Sequence, residues 1–151
     1  MSIDLKGPVF AEMLGKRLIH GVPTMEAIGK PLDYFNLRNI FLDCRGLLKI
    51  DPTSEWGWFA TVITLSHDIS TGQWSVGAVN RSVAVDAYAW ICSNALLYNC
   101  HIKHHAIVAC GAVVRNMTVE PYTIVEGNPA RAVRRYVDGK WTSIERDDNE
   151  K

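Results

Sequence analysis

From Val83 to Val114 the chain reads VAVDAYAWICSNALLYNCHIKHHAIVACGAVV. Val85, Ile91 and Leu97 stand six apart, and so do Ile102, Val108 and Val114. A small residue lies two positions before four of these: Ala89, Ala95, Ala106 and Ala112. A separation of two puts both members of a pair on one face of an extended strand. A repeat of six makes a short strand and a turn into one unit, which neither a helical stripe nor a hairpin alternation does. Self-similarity at this period marks a solenoid, and the hexapeptide period marks a parallel β-helix. An ordinary parallel α/β sheet also has apolar strands, but it needs crossovers of a dozen or more residues, for which this stretch has no room.

A second copy of the pattern lies upstream. Ile50, Trp56 and Val62 are again six apart, and Ser54, Ala60 and Ser66 hold the small positions. Between the two copies the phase is lost. Residues 68–82, DISTGQWSVGAVNRS, read as a loop inserted between coils, and such insertions form binding faces in solenoids. The expected organisation is a single domain: a cap over residues 1–39, a β-helix over 40–127 with insertion loop 68–82, and an arm with a polar tail over 128–151. In the cap, Phe10, Met13, Leu14, Arg17 and Leu18 recur at helical spacing and predict a short helix ended by Gly21 and Pro23. Residues 24–39 either begin the first coil or cover it. In the arm, Ala130 to Val137 reads as a short helix or an extended segment.

Sixteen Lys plus Arg balance sixteen Asp plus Glu. That neutrality gives no reason to expect a nucleic-acid or membrane-surface partner. No apolar run is long enough to span a bilayer, and the start MSIDLKGPVF has no signal-peptide pattern. The expected setting is cytoplasmic. Cys44, Cys92, Cys100 and Cys110 lack CxxC spacing, so they read as reduced core or corner residues.

The repeats together with the closing sequence VEPYTIVEGNPARAV resemble the hexapeptide-repeat acyltransferases. Trp90-Ile91, Pro121-Tyr122 and Gly127-Asn128-Pro129-Ala130-Arg131 carry the match. Where the family often has Gly after each aliphatic, this chain has Asp86, Cys92, Lys103 and Ala109. The resemblance covers roughly residues 40–136. It implies an all-β, left-handed parallel β-helix of about four coils. It also implies a homotrimer with active sites between neighbouring subunits, and an acetyltransferase that uses acetyl-CoA and no metal. Within the family, VITLSHDIS is similar to the active-site segment of saccharide O-acetyltransferases, and His67 falls at the catalytic histidine. Read alone, His67 is a surface histidine in a loop. With the resemblance it is a general base, a role that suits an imidazole near its ordinary pKa. The resemblance implies direct transfer in a ternary complex, so no nucleophilic cysteine is called for.

The resemblance also places the cofactor contacts. Ser93 offers its backbone N–H to the thioester oxygen, Cys110 and Gly111 let the pantetheine arm lie close, and Arg115, Arg131 and Arg134 approach the CoA phosphates. Asp43 falls about where the family has an acceptor-binding carboxylate. Asp68 either orients His67 or begins the loop. Trp74, an aromatic in the insertion, is a candidate to stack on the acceptor, whereas Trp90 reads as corner packing.

Three rivals share the fold. A γ-type carbonic anhydrase would put its zinc ligands at Ser93 and Tyr98, neither of which is His, while His101, His104 and His105 fall on the next turn. A non-catalytic β-helix would serve as a binding module. An N-acetyltransferase of an amino sugar would use the same base. The expected reaction is transfer of acetyl from acetyl-CoA to a hydroxyl of a sugar or saccharide.

Overall fold

The computed structural model describes residues 12–14, 17–20, 40–43, 46–73 and 75–145. Among these residues every regular element is a strand, and no helix is long and apolar enough to cross a membrane.

Three faces of short parallel strands wrap one core. The first face stacks β4 (Leu47–Ile50), β9 (Ser82–Val85), the end of β11 (Leu96–Ile102) and the end of β13 (Val113–Val119). The second stacks β5 (Glu55–Trp56), β10 (Trp90–Ile91), β12 (Ile107–Val108) and β14 (Thr123–Glu126). The third stacks β3 (Phe41–Asp43), β6 (Thr61–Ile63) and the opening halves of β11 and β13.

The registers turn the sequence repeat into three interior columns. Ile50, Val85, Ile102 and Val119 pair in one, and Trp56, Ile91, Val108 and Val125 in the next. Leu42, Val62, Leu97 and Val114 form the third. All twelve are buried. Because each coil superimposes apolar on apolar side chains, burial stabilises every column by about 25 cal/mol per Å² of apolar area removed from water.

The small residues have a backbone reason. The carbonyls of Ala89, Ala95, Ala106 and Ala112 accept the amides of Glu55, Thr61, Trp90 and Leu96, one coil earlier, at 2.8–2.9 Å. Each of these alanines is fully buried, so a larger side chain would meet the packed columns. The corners are tight. Phe59, Tyr88, Asn94, His105 and Tyr122 have φ between 53° and 62°, and Asn99 and Asn116, at the third corner, have 46° and 53°. Asn tolerates this left-handed region better than most residues. The side chains of Asn99 and Asn116 also bond to each other at 2.9 Å. One turn from Ile91 to Val108, or from Val108 to Val125, takes seventeen residues, one fewer than the eighteen that the resemblance implies.

Two expectations are corrected. The predicted N-terminal helix is absent. Its described residues form β1 (Glu12–Leu14) and β2 (Arg17–His20), an antiparallel pair whose second strand runs parallel to β3. Pairing with β3 outweighs a weak helical spacing, since tertiary contacts routinely override propensity. The insertion is not an irregular loop over residues 68–82. It is a hairpin of β7 (Leu65–Asp68) and β8 (Ser75–Asn80) that departs three residues earlier. The arm is extended, as β15 (Arg131–Val137) and β16 (Lys140–Ser143), and it continues the second face in antiparallel fashion.

Candidate active site

The corner between the second and third faces gathers most of the candidate cofactor residues. Ser93 and Asn94 turn this corner in one coil, and Cys110 and Gly111 in the next. The Gly111 amide donates to the Ser93 carbonyl at 3.0 Å. Gly111 has φ 70°, and a Cβ there would meet nothing within 4 Å, so the corner is open on its outer side. One coil earlier Gly57 sits so close that a Cβ would lie 2.3 Å from the Ser93 nitrogen. Glycine is required at 57 for this close approach. The Ser93 hydroxyl accepts the Trp58 amide at 3.1 Å, which holds the turn. The closing sequence comes to the same corner: Val113 N donates to Gly127 O, and Ala130 N to Val113 O, each at 2.9 Å.

The arginines reach this region by a device invisible in the sequence. On a regular strand, residues three apart point to opposite faces. A register shift in the β14–β15 pairing sets Arg131 opposite Glu126 and Arg134 opposite Ile124. Glu126 and Ile124 are two apart, so the bulge brings both arginines to the outward face. Both are exposed, and Arg131 Nη1 also donates to the Ala130 carbonyl at 3.0 Å. Arg115 stands elsewhere. It is exposed on the third face, in register with Tyr98 and through it with Ile63.

His67 is exposed on β7, opposite Ala78 of β8. It therefore belongs to the projecting hairpin and not to the end of a coil. Asp68 does not serve as a free carboxylate there. Its Oδ1 accepts the Ser70 amide at 2.9 Å, and hydrogen bonds from Ser70, backbone first and then side chain, hold its carboxyl below the usual range. Asp43 is corrected as an acceptor contact. It is fully buried, its Oδ2 accepts the Thr64 amide at 3.3 Å, and its carbonyl accepts the Thr64 hydroxyl at 2.6 Å. Trp74 lies outside the described residues. Trp90 is corrected as corner packing: it is 51% exposed on the outer side of the second face.

Thr64 and Arg81, which the sequence reading passed over, and Tyr98, which it weighed only as a zinc-ligand position, hold the hairpin to the coils. Thr64, fully buried, accepts the Gly46 amide on its hydroxyl at 2.9 Å and the Arg81 amide on its carbonyl at 2.8 Å. Arg81 Nε donates to the Tyr98 hydroxyl at 3.1 Å. A hydrogen bond with Ser66, and then the Arg81 guanidinium, lower the Tyr98 phenol against the opposing effect of burial. The sequence signal for this cluster is the loss of phase itself, which Thr64 precedes and within which Arg81 falls. Ser66 lies on the face of the hairpin opposite to His67, by the pairing of Ser66 with Val79 and His67 with Ala78.

Among the described residues no group of three or more His, Cys, Asp or Glu is placed to hold a metal. His101 Nε2 meets Asp86 Oδ1 at 2.9 Å, and His105 stacks on Tyr122 with centroids 4.7 Å apart.

The sequence matches no protein-family model and no curated protein. Solved structures do match. A hexapeptide-repeat-containing acetyltransferase of Vibrio cholerae O1 biovar eltor, crystallised with acetyl coenzyme A, superimposes with a TM-score of 0.59 at 24% identity. The fold is the one that hexapeptide-repeat acetyltransferases use. A maltose O-acetyltransferase of Clostridium difficile 630 gives 0.58 at 18% identity. The alignments cover 67% and 66% of this chain but 56% and 54% of those proteins, so the chain spans little more than half the length of either.

Proposed function

We propose that this chain transfers acetyl from acetyl-CoA to a hydroxyl of a sugar or saccharide, on a left-handed β-helix assembled as a trimer. The observation that carries the reading is the open corner where Ser93, Gly111 and the Gly127–Ala130 closure stack, in a fold shared with an acetyltransferase crystallised with acetyl-CoA. In this reading the pantetheine arm lies against Cys110 and Gly111, where no side chain intrudes. Arg131 and Arg134 take the phosphates, for which guanidinium is well suited. The Ser93 N–H stabilises the oxyanion. His67 removes the acceptor proton and returns it to the departing thiolate. Trp74 stacks on the acceptor, and Arg115 serves the CoA phosphates from the third face. Asp43 and Asp68 drop out of substrate contact, because their carboxylates are engaged as described.

The layout of the site supports assembly from more than one copy, and the trimer is the assembly that the resemblance implies. Ser93 marks one edge of the third face, and His67 leaves from the other. Phe59 to Thr64 measures that face, about 16 Å of extended chain. A base must come within hydrogen-bond reach of the attacking hydroxyl, so one copy alone leaves the site unassembled. A neighbouring copy that sets its hairpin against this corner completes it. Two grooves among the described residues, of about 600 and about 430 Å³, are lined by other residues than these candidates.

Calorimetric titration with acetyl-CoA tests the cofactor half. Saturable binding that weakens when Arg131 and Arg134 are both changed to Ala is expected. Absence of any binding would favour a non-catalytic β-helix. Turnover confined to amine acceptors would favour N-acetylation.

A further inference from the structure

The acetyl-transfer reading makes no use of Cys92, yet the fold sets it beside Cys110. The pairing of Ile91 with Val108 places Cys92 opposite Ala109 and Ser93 opposite Cys110. Two hydrogen bonds fix that register: Cys92 N to Val108 O at 2.9 Å and Gly111 N to Ser93 O at 3.0 Å. The cysteines are thus on neighbouring coils, one residue out of step. With strands 4.7–4.9 Å apart and a rise of 3.3 Å per residue, their Cα atoms are separated by about 6 Å. That falls inside the 4.4–6.8 Å that a disulfide spans. The side chains meet as well. Burial first, and then Cys110 beside it by charge as a thiolate and by a hydrogen bond, push the Cys92 thiol up to about 11. Cys110 is exposed and Cys92 is buried behind it, the arrangement of an attacking thiol with a resolving partner. Cys100 is also buried, and burial pushes its thiol up to about 12.

We propose that Cys92 and Cys110 are a redox modification site: hydrogen peroxide oxidises the pair to a disulfide that closes the acetyl-CoA seat. In the first step the Cys110 thiolate attacks one peroxide oxygen, the O–O bond breaks, and hydroxide leaves and takes up the thiol proton as water. Cys110 is then a sulfenic acid. In the second step the Cys92 sulfur attacks the Cys110 sulfur, the S–O bond breaks, and the departing hydroxide takes the Cys92 proton. The sum is two thiols and one peroxide giving one disulfide and two waters. The bridge ties the residue before Ser93 to the residue before Gly111. It therefore turns the Cys110 side chain inward and pins the corner on which the thioester is to lie. The modification stands on geometry alone, whereas its effect on acetyl-CoA rests on the functional reading above.

The test treats the full chain with hydrogen peroxide and maps its cysteine peptides by mass. A Cys92–Cys110 cross-link is expected, with two hydrogens lost. Dithiothreitol should reverse it, and it should be missing in Cys92→Ser and Cys110→Ser. Sulfinic acid on Cys110 beside a free Cys92, or a bridge to Cys44 or Cys100 instead, would overturn the site. In parallel, acetyl-CoA binding is titrated on the reduced and bridged forms. Affinity lower by about tenfold or more in the bridged form is expected. Equal affinity of the two forms would overturn closure. A bridge that forms in a chain whose reduced form binds no acetyl-CoA would overturn closure and the functional reading together, and leave the modification site standing.

Discussion

At the scale of single residues, chemistry here is set by which face of a thin wall a side chain occupies. Cys100 points into the core and Cys110 out of a corner. Burial pushes the Cys100 thiol up to about 12, and a thiol is a poor nucleophile, while Cys92 is buried behind Cys110 and shielded from bulk reagents. Iodoacetamide at pH 8 is therefore expected to label Cys110 before either. Equal labelling of Cys100 in the native protein would contradict its placement. Tyr98 supplies a second check. Hydrogen bonding to Ser66 and the Arg81 guanidinium favours its phenolate. Its folded pKa lies below its unfolded value, so the stabilisation it gives is present above the unfolded value near 10 and is lost as pH falls through the folded one. An absorbance titration at 295 nm should show the first phenolate step disappear in Tyr98→Phe.

At the scale of elements, the coils were legible in the sequence and their interruptions were not. Every aliphatic residue singled out by the period of six, from Ile50 to Val114, is buried, and so are Ser54, Ala60, Ala89, Ala95, Ala106 and Ala112. The period is legible because each coil needs the same inward residue at the same rung. The hairpin of β7 and β8 gave only a loss of phase. Its position is set by backbone groups that converge on Thr64 from Asp43, Gly46 and Arg81, and such long-range bonds leave no periodic trace. The β14–β15 bulge is equally silent, although it decides where Arg131 and Arg134 point. Thr64→Val keeps the shape of the side chain and removes its hydroxyl, leaving the Asp43 carbonyl and Gly46 amide short of a buried partner. It should cost about 2–3 kcal/mol in urea unfolding. A change below about 0.5 kcal/mol would show that the clasp does not hold the hairpin. Leu97→Ala, which empties a rung between Val62 and Val114, should cost about 2–5 kcal/mol.

At the scale of the whole molecule, three narrow faces around a core one side chain thick leave much apolar surface outside. Tyr88, Trp90, Tyr122, Tyr136 and Trp141 are all exposed, the first at 60%. An assembly would cover part of this surface and bring a hairpin from one copy to the corner of another. Light scattering is expected to give three chain masses, with activity falling as dilution separates the copies. A fully active monomer would remove the reason for dividing the site. The account's central claim is that acetyl moves from CoA to a hydroxyl with His67 as base. The most direct measurement is release of CoA thiol from acetyl-CoA against a panel of sugar and amino-sugar acceptors, comparing the native chain with His67→Ala. The account predicts acceptor-dependent release with a hydroxyl acceptor, and a fall of about a hundredfold or more in the variant. Equal turnover by the native chain and His67→Ala would contradict it.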